Sequence, residues 1–278
     1  MGNGISVENE KSKEGSFGGI KMSNITSEQF SMLNPANQTG KDYEYARGMD
    51  CYFSSSLGTN LDKLRNFTKY VPRQTLSLFL GKQALFQRVI DVHGHIIECG
   101  VYLGGGLMTW AQLSAIYEPY NHIRRVVGFD TFMGFVDIHD KDKGDNLDYA
   151  IESGLATHAY DDIQECIRLS ALNRPIGHIP RAEVVVGNAM QTIPEYVQKN
   201  PHLVVALLYL DFDLYEPTKV AIETFLPRMP KGAILAFDEL NQSPWPGETL
   251  AVLETVGLRN LRIERFPFTP QLSFAVLE

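Results

Sequence analysis

The chain has 278 residues, 44% of them hydrophobic and 21% charged, enough for one large α/β domain with an appendage or for two small domains. A net charge of −8 removes the basic face that general nucleic-acid binding needs. Three scattered cysteines without zinc-type spacing, no long uncharged apolar stretch and no apolar leader make a reduced cytoplasmic protein, off the membrane, the expectation.

Residues 1–24 are rich in Gly, Ser, Lys, Glu and Asn, which predicts a mobile tail. Residues 25–93 are expected to form a helical lid or a contact between copies in a homo-oligomer. Its first part, 26–60, mixes Tyr43, Tyr45, Tyr52 and Phe53 with Gly and Asn, too irregularly for one long helix. From 61 the pattern turns helical. Leu76, Phe79, Leu80, Leu85, Phe86, Val89 and Ile90 fall near the i, i+3, i+4 spacing of a buried face, and Gly94 reads as the C-cap. Then HIIECGV, RRVVGFD, AEVVVGN, VVALLYLD and AILAFDE read as apolar strands, with GLMTWAQLSAIYE and TKVAIETFLPRM as helices among them. Such runs predict a parallel sheet covered on both faces. Residues 137–175 are acidic and Gly-bearing and read as an insertion over the strand ends, with Asp161 and Asp162 solvated or capping. At the end, LRIERFPF and LSFAVLE, joined by about three to five residues including Pro270, predict a hairpin and one antiparallel strand closing the sheet.

The run from Ile96 to Gly106 passes from strand through a glycine-rich turn into a helix. Its spacing, Gly100-x-x-x-Gly104-Gly-Gly, is not the G-x-G-x-x-G of a dinucleotide turn. Glu98, just before the first glycine, suits a cationic amino-acid cofactor such as S-adenosylmethionine, whose ammonium it would support, with Gly100, Val101, Tyr102 and Gly104 around it. A tight turn without a ligand is the alternative for the glycines alone. Asp130 ends the next strand, placed for ribose hydroxyls or, alternatively, to cap the following segment. Gly187 and Asn188 follow the third strand, where an adenine would lie, although a plain turn also accounts for them.

Asp211 and the Asp238–Glu239 pair end two further strands. Strand ends of an open parallel sheet line one crevice, and carboxylates facing one another repel unless a cation or proton intervenes. With no Cys or His near them in sequence, they read as ligands for a hard ion such as magnesium. Asp213 can join the metal, act as a base, or cap the helix that starts near Pro217. His139, His158 and His178 lie in polar loops and read as exposed.

The segments IIECGVYLGGG, FDTFMGF, LYLDFDLYEPT and AFDELN followed by WPGET resemble the macrocin O-methyltransferase family, from about residue 70 to the C-terminus. Those are class I S-adenosylmethionine-dependent enzymes that methylate sugar hydroxyls. The resemblance implies a Rossmann-like α/β fold over 94–278, with a seven-stranded, mostly parallel sheet and an antiparallel last strand. It implies cofactor contacts from Glu98, Gly100 and Asp130, and magnesium on Asp211, Asp238 and Glu239. Glu239 stands where many relatives have a second Asp, and Tyr102–Leu103 replaces an aromatic–Arg pair. The expected reaction is methyl transfer to a small-molecule hydroxyl of a sugar or glycoside, with Asp211 the first choice of proton acceptor and Asp213 the second. The lysine base of catechol O-methyltransferases has no counterpart, because Leu214 occupies its place. A hydroxyl on a peptide, polyketide or phenol is the alternative acceptor. A NAD-dependent nucleotide-sugar enzyme and a non-catalytic scaffold are the competing classes.

Overall fold

The computed structural model describes residues 39–143 and 154–278. The tail expected over 1–24 lies outside them. The chain divides into two compact units between Pro72 and Arg73.

In the first unit, helix α1 (Gly40–Ser55) and helix α2 (Asn60–Arg65) start with the same device. The backbone amide and hydroxyl of Thr39 both donate to Asp42, and those of Thr59 to Asp62, so each helix opens on a reciprocal cap. The aromatic stretch expected to be irregular is therefore a sixteen-residue helix. Tyr52 and Phe53 pack on Tyr70 with ring centroids 5.6 and 5.2 Å away, and the Lys63 ammonium lies 5.1 Å from the centre of the Phe53 ring. No residue of α1 is buried.

The second unit begins with helix α3 (Arg73–Val89), which buries Leu85, Phe86 and Val89 in its core. That packing places α3 with the second unit, which starts at Arg73. Leu80, expected inside, is 46% exposed, and Lys82 takes a buried place instead. Gly94 lies past the helix end, where the chain enters the first strand, and is not its cap.

The strands are β1 (His95–Cys99), β2 (Val126–Asp130), β3 (Ala182–Val186), β4 (Val205–Leu210), β5 (Ile234–Phe237), β6 (Ile263–Phe266) and β7 (Thr269–Val276). They form one seven-stranded sheet in the order β3-β2-β1-β4-β5-β7-β6, parallel except for β7, as the resemblance implies. Strand β7 sits between β5 and β6, so the antiparallel strand is internal and β6 forms the edge. Only Pro267 and Phe268 make the hairpin turn. Pro270 lies inside β7, ahead of the part that pairs with β5 from Ser273 onward, so its missing N–H costs that ladder nothing.

Helices α4 (Gly105–Tyr117) and α5 (Tyr160–Leu172) join α3 on one face, where Leu107, Trp110 and Ile163 pack with Ile96, Leu207 and Tyr209. Helices α6 (Ala189–Lys199), α7 (Tyr215–Phe225) and α8 (Pro246–Thr255) cover the other, where Ile193, Phe225 and Val252 meet Ile97, Leu208 and Phe237. Each such fully buried apolar side chain is worth about 1.5–3 kcal/mol against exposure. The segment 137–175 is thus only partly an insertion, because its second half, α5, is the crossover from β2 to β3. Asp161 and Asp162 sit exposed in the first turn of α5, where acids favour the helix dipole. All three cysteines are free, and among the described residues no helix is long and apolar enough to cross a membrane.

Candidate active site

The strand order reverses between β1 and β4, and ligands of open α/β sheets bind at such a switch point, outside the C-terminal strand ends. Gly100, Asp130, Gly187, Asp211 and Asp238 each follow or close one of those ends. Gly100 has φ +95°, and a Cβ there would overlap the Asp211 carbonyl oxygen, so only glycine lets the end of β1 touch the end of β4. Tyr102 also has positive φ, 51°, and Gly104, at φ 85°, is the N-cap of α4. Beside it, a Cβ added to Gly105 meets nothing within 4 Å, so the first turn of α4 is open on that side.

Asp130, read as a ribose ligand or as a cap for the following segment, caps that segment and also binds the glycine turn. Its Oδ2 accepts from the amides of Val101 and Tyr102 at 2.7 and 2.8 Å, and Oδ1 from that of Phe132 at 2.7 Å. One carboxylate therefore ties together the loops after β1 and β2. Asn188 caps α6 by accepting from Met190 N at 3.0 Å, and its Nδ2 donates to Asp137 at 2.9 Å.

Glu98 is 1% exposed, and its Oε1 accepts from Lys82 Nζ at 2.7 Å. The ammonium lies 4.1 Å from the Tyr209 ring centre and 5.3 Å from that of Trp110. Gly106 closes over the pair, and a Cβ there would overlap both Glu98 Oε1 and Lys82 Nζ. Lys82 occupies Oε1 of Glu98, whereas Oε2 is buried without a hydrogen-bond partner. The periodic pattern of α3 hid Lys82, since a lysine among apolar residues reads as exposed.

Around β4 and β5 the carboxylates converge. One oxygen each from Asp211, Asp213 and Glu239 lies within 4.8 Å of the others. The expected trio had Asp238 where Asp213 stands. Asp238 lies beside the group, with its Oδ1 accepting from the Tyr209 hydroxyl at 2.5 Å. Burial first, then repulsion from the Asp238 charge, pushes Asp211 and Glu239 well above the usual carboxylate range. The same two causes raise Asp213 to about 7. Glu239 Oε2 is buried without a hydrogen-bond partner.

Two acids escaped the sequence reading. Glu248 on α8 is fully buried, and its Oε1 accepts from Glu239 N at 3.1 Å, pinning the loop after β5. The only signal for it was the acid in WPGET. Asp142 is 1% exposed and accepts from Tyr215 N at 2.6 Å and from His139 N at 2.8 Å. It thereby caps α7, the helix that starts just after Asp213. His139 caps its own turn through Nδ1 and stacks toward Tyr215, while His158 and His178 are exposed, as expected.

A family model described as macrocin O-methyltransferase (TylF) matches residues 80–246, more than half of the chain. The chain belongs to the macrocin O-methyltransferase family. A crystal structure of CalS11, described as a calicheamicin methyltransferase, is 34% identical, with a TM-score of 0.83 over 86% of this chain and 93% of that one. An apo structure of CalS11, described as a TDP-rhamnose 3'-O-methyltransferase, is 32% identical, with a TM-score of 0.75 over 86% and 95%. The O-methyltransferase NovP shares the fold at 19% identity, with a TM-score of 0.58 over 72% and 79%. No curated protein sequence matches the chain. This macrocin O-methyltransferase family member is an S-adenosylmethionine-dependent O-methyltransferase.

Proposed function

We propose that the enzyme methylates a hydroxyl of a sugar or glycosylated natural product with the help of a magnesium ion. The observation that carries this reading is the convergence of Asp211, Asp213 and Glu239 beside the glycine turn. The similarity to CalS11 supports the sugar-type acceptor.

The donor set fits magnesium. It is all oxygen, it leaves Glu239 Oε2 without a protein partner, and burial and repulsion keep its acids reluctant to ionise without a cation. Asp211 and Glu239 would hold the ion, with Asp213 and the second oxygen of Asp238 beside them. When bound, magnesium lowers the pKa of a coordinated hydroxyl and fixes its direction. S-adenosylmethionine, when bound, supplies an already activated methyl group.

The chain's own residues do the rest. Gly100, Val101, Tyr102 and Gly104 shape the turn that receives the amino-acid end of the cofactor. Asp130 would receive the ribose, and Gly187 and Asn188 would border the adenine. Glu98 supports the amino-acid end from behind, through Lys82 and the Gly106 backbone. The acceptor hydroxyl is held in line with the methyl group, where orientation alone contributes a large part of the rate. Its proton passes to the Asp211–Asp213 pair, Asp211 first.

Calorimetric titration with S-adenosylhomocysteine, with and without magnesium, tests both ligands. A screen of nucleotide sugars and glycosides then tests the acceptor. Asp211→Asn should abolish turnover and leave S-adenosylhomocysteine affinity largely intact. Full turnover in that variant refutes the role of Asp211, and activity untouched by a chelator refutes the metal.

A further inference from the structure

We propose that Tyr209, a core residue without exposed surface, is a positioning residue for Asp238, so that divalent-ion affinity is set from inside the sheet. This rests on the magnesium reading above.

Tyr209 pairs with Glu98 across β1 and with Ala236 across β5. Side chains alternate along a strand, so Glu98, Tyr209 and Ala236 share the face that α3 and α4 cover. Two residues beyond Ala236, the same alternation returns Asp238 to that face. There the Tyr209 hydroxyl meets Asp238 Oδ1 at 2.5 Å, which leaves Oδ2 for another ligand. The ring itself is fixed on two sides. The Trp110 ring lies 5.8 Å away at an interplanar angle of 64°, and the Lys82 ammonium, anchored by Glu98, lies 4.1 Å from the Tyr209 ring centre. Asp238 is also the largest single charge acting on Asp211, Asp213, Glu239 and Glu248. Asp238 therefore lies close enough to the carboxylate group to share a cation with it.

A hydrogen-bonded carboxylate presents its other oxygen in one direction. Without the phenol it samples several rotamers, and a bound ion must select one of them. Partners behind a ligand commonly contribute about 10–100-fold in metal affinity.

The experiment compares wild type, Tyr209→Phe, Asp238→Asn and the double variant. Magnesium affinity is read by calorimetry, and S-adenosylhomocysteine affinity on the same samples reports an intact fold. Tyr209→Phe should weaken magnesium binding about 10-fold and change S-adenosylhomocysteine affinity by less than about 2-fold. In the Asp238→Asn background, the added Phe should cost nothing further, because its partner is already altered. Unchanged magnesium affinity in Tyr209→Phe overturns the proposal, and so does an equal loss with and without Asp238. Magnesium binding absent from the wild type overturns the metal reading itself and this inference with it.

Discussion

Replacing Lys82 by Met tests the buried ion pair most directly. The side chains of Lys82 and Glu98 are 4% and 1% exposed, and their charged atoms are 2.7 Å apart. Methionine fills most of the lysine volume, so the loss is chiefly one of charge. Glu98 is then buried without its partner, and it escapes by taking up a proton. In the wild type burial already raises Glu98 above the usual 4.5 despite Lys82, so protonation at pH 7, 2.5 units or about 3 kcal/mol at 1.36 kcal/mol per unit, is the upper bound on the loss. Removing one partner of a buried pair typically costs about 3–5 kcal/mol, and uptake of a proton by Glu98 holds the loss to the low end of that range or below it.

The pH dependence separates this cause from lost packing. In Lys82→Met, the folded-state pKa of Glu98 is raised far above its unfolded value. Stability from a raised group is complete below the unfolded pKa and is lost as pH rises. The gap to wild type should therefore shrink from at most about 3 kcal/mol at pH 7 to about 1 kcal/mol or less at pH 5. Urea unfolding at the two pH values measures it, and adding Glu98→Gln should recover most of the loss at pH 7. A gap that stays constant with pH, or one under about 1 kcal/mol at pH 7, refutes the reasoning.

Three other outcomes are expected. Asp142→Ala strips the cap from α7 and leaves the Tyr215 amide buried without an acceptor, which should lower stability by about 1–3 kcal/mol in thermal melts. Gly247→Ala should act on the same joint, because its Cβ would overlap Asp142 Oδ1; an unshifted melting temperature in both variants removes the clamp. Burial, followed by the nearby Arg125 charge, lowers His95 from the usual 6.5 to about 4. The folded chain thus resists the proton that the unfolded chain accepts. Stability is complete above pH 6.5 and falls toward pH 4, by at most about 3 kcal/mol from this residue, and His95→Gln should flatten that part of the curve.

The layers were legible because β1 to β5 are near-continuous apolar runs, and the helices between them repeat at their own period. What misled the reading was local. Residues 40–55 bury nothing, so no apolar stripe marked their helix, and the Thr39 and Thr59 caps were the better signal. The β6–β7 turn was misplaced because Pro270 reads as a turn residue, although an unpaired stretch of strand tolerates it equally well.

The site was legible as a set of strand ends, and less so as a set of directions. Asp211 and Asp238 share strand parity with Tyr209 and Ala236, whereas Glu239 has the opposite parity and belongs with the side of the sheet that α8 covers. Three acids at such positions cannot meet at one point while all of them keep extended geometry. Asp213 resolves the conflict by leaving it. At φ 61° the loop after β4 turns back and carries its carboxylate to Glu239, while Asp238 stays on its own face under the Tyr209 hydroxyl. A non-glycine residue held at positive φ costs about 1–3 kcal/mol and persists only where its surroundings impose it. Two residues beyond Asp213, Asp142 fixes the first amide of α7. Asp142, 73 residues before Tyr215 in sequence, thus fixes the backbone just after Asp213.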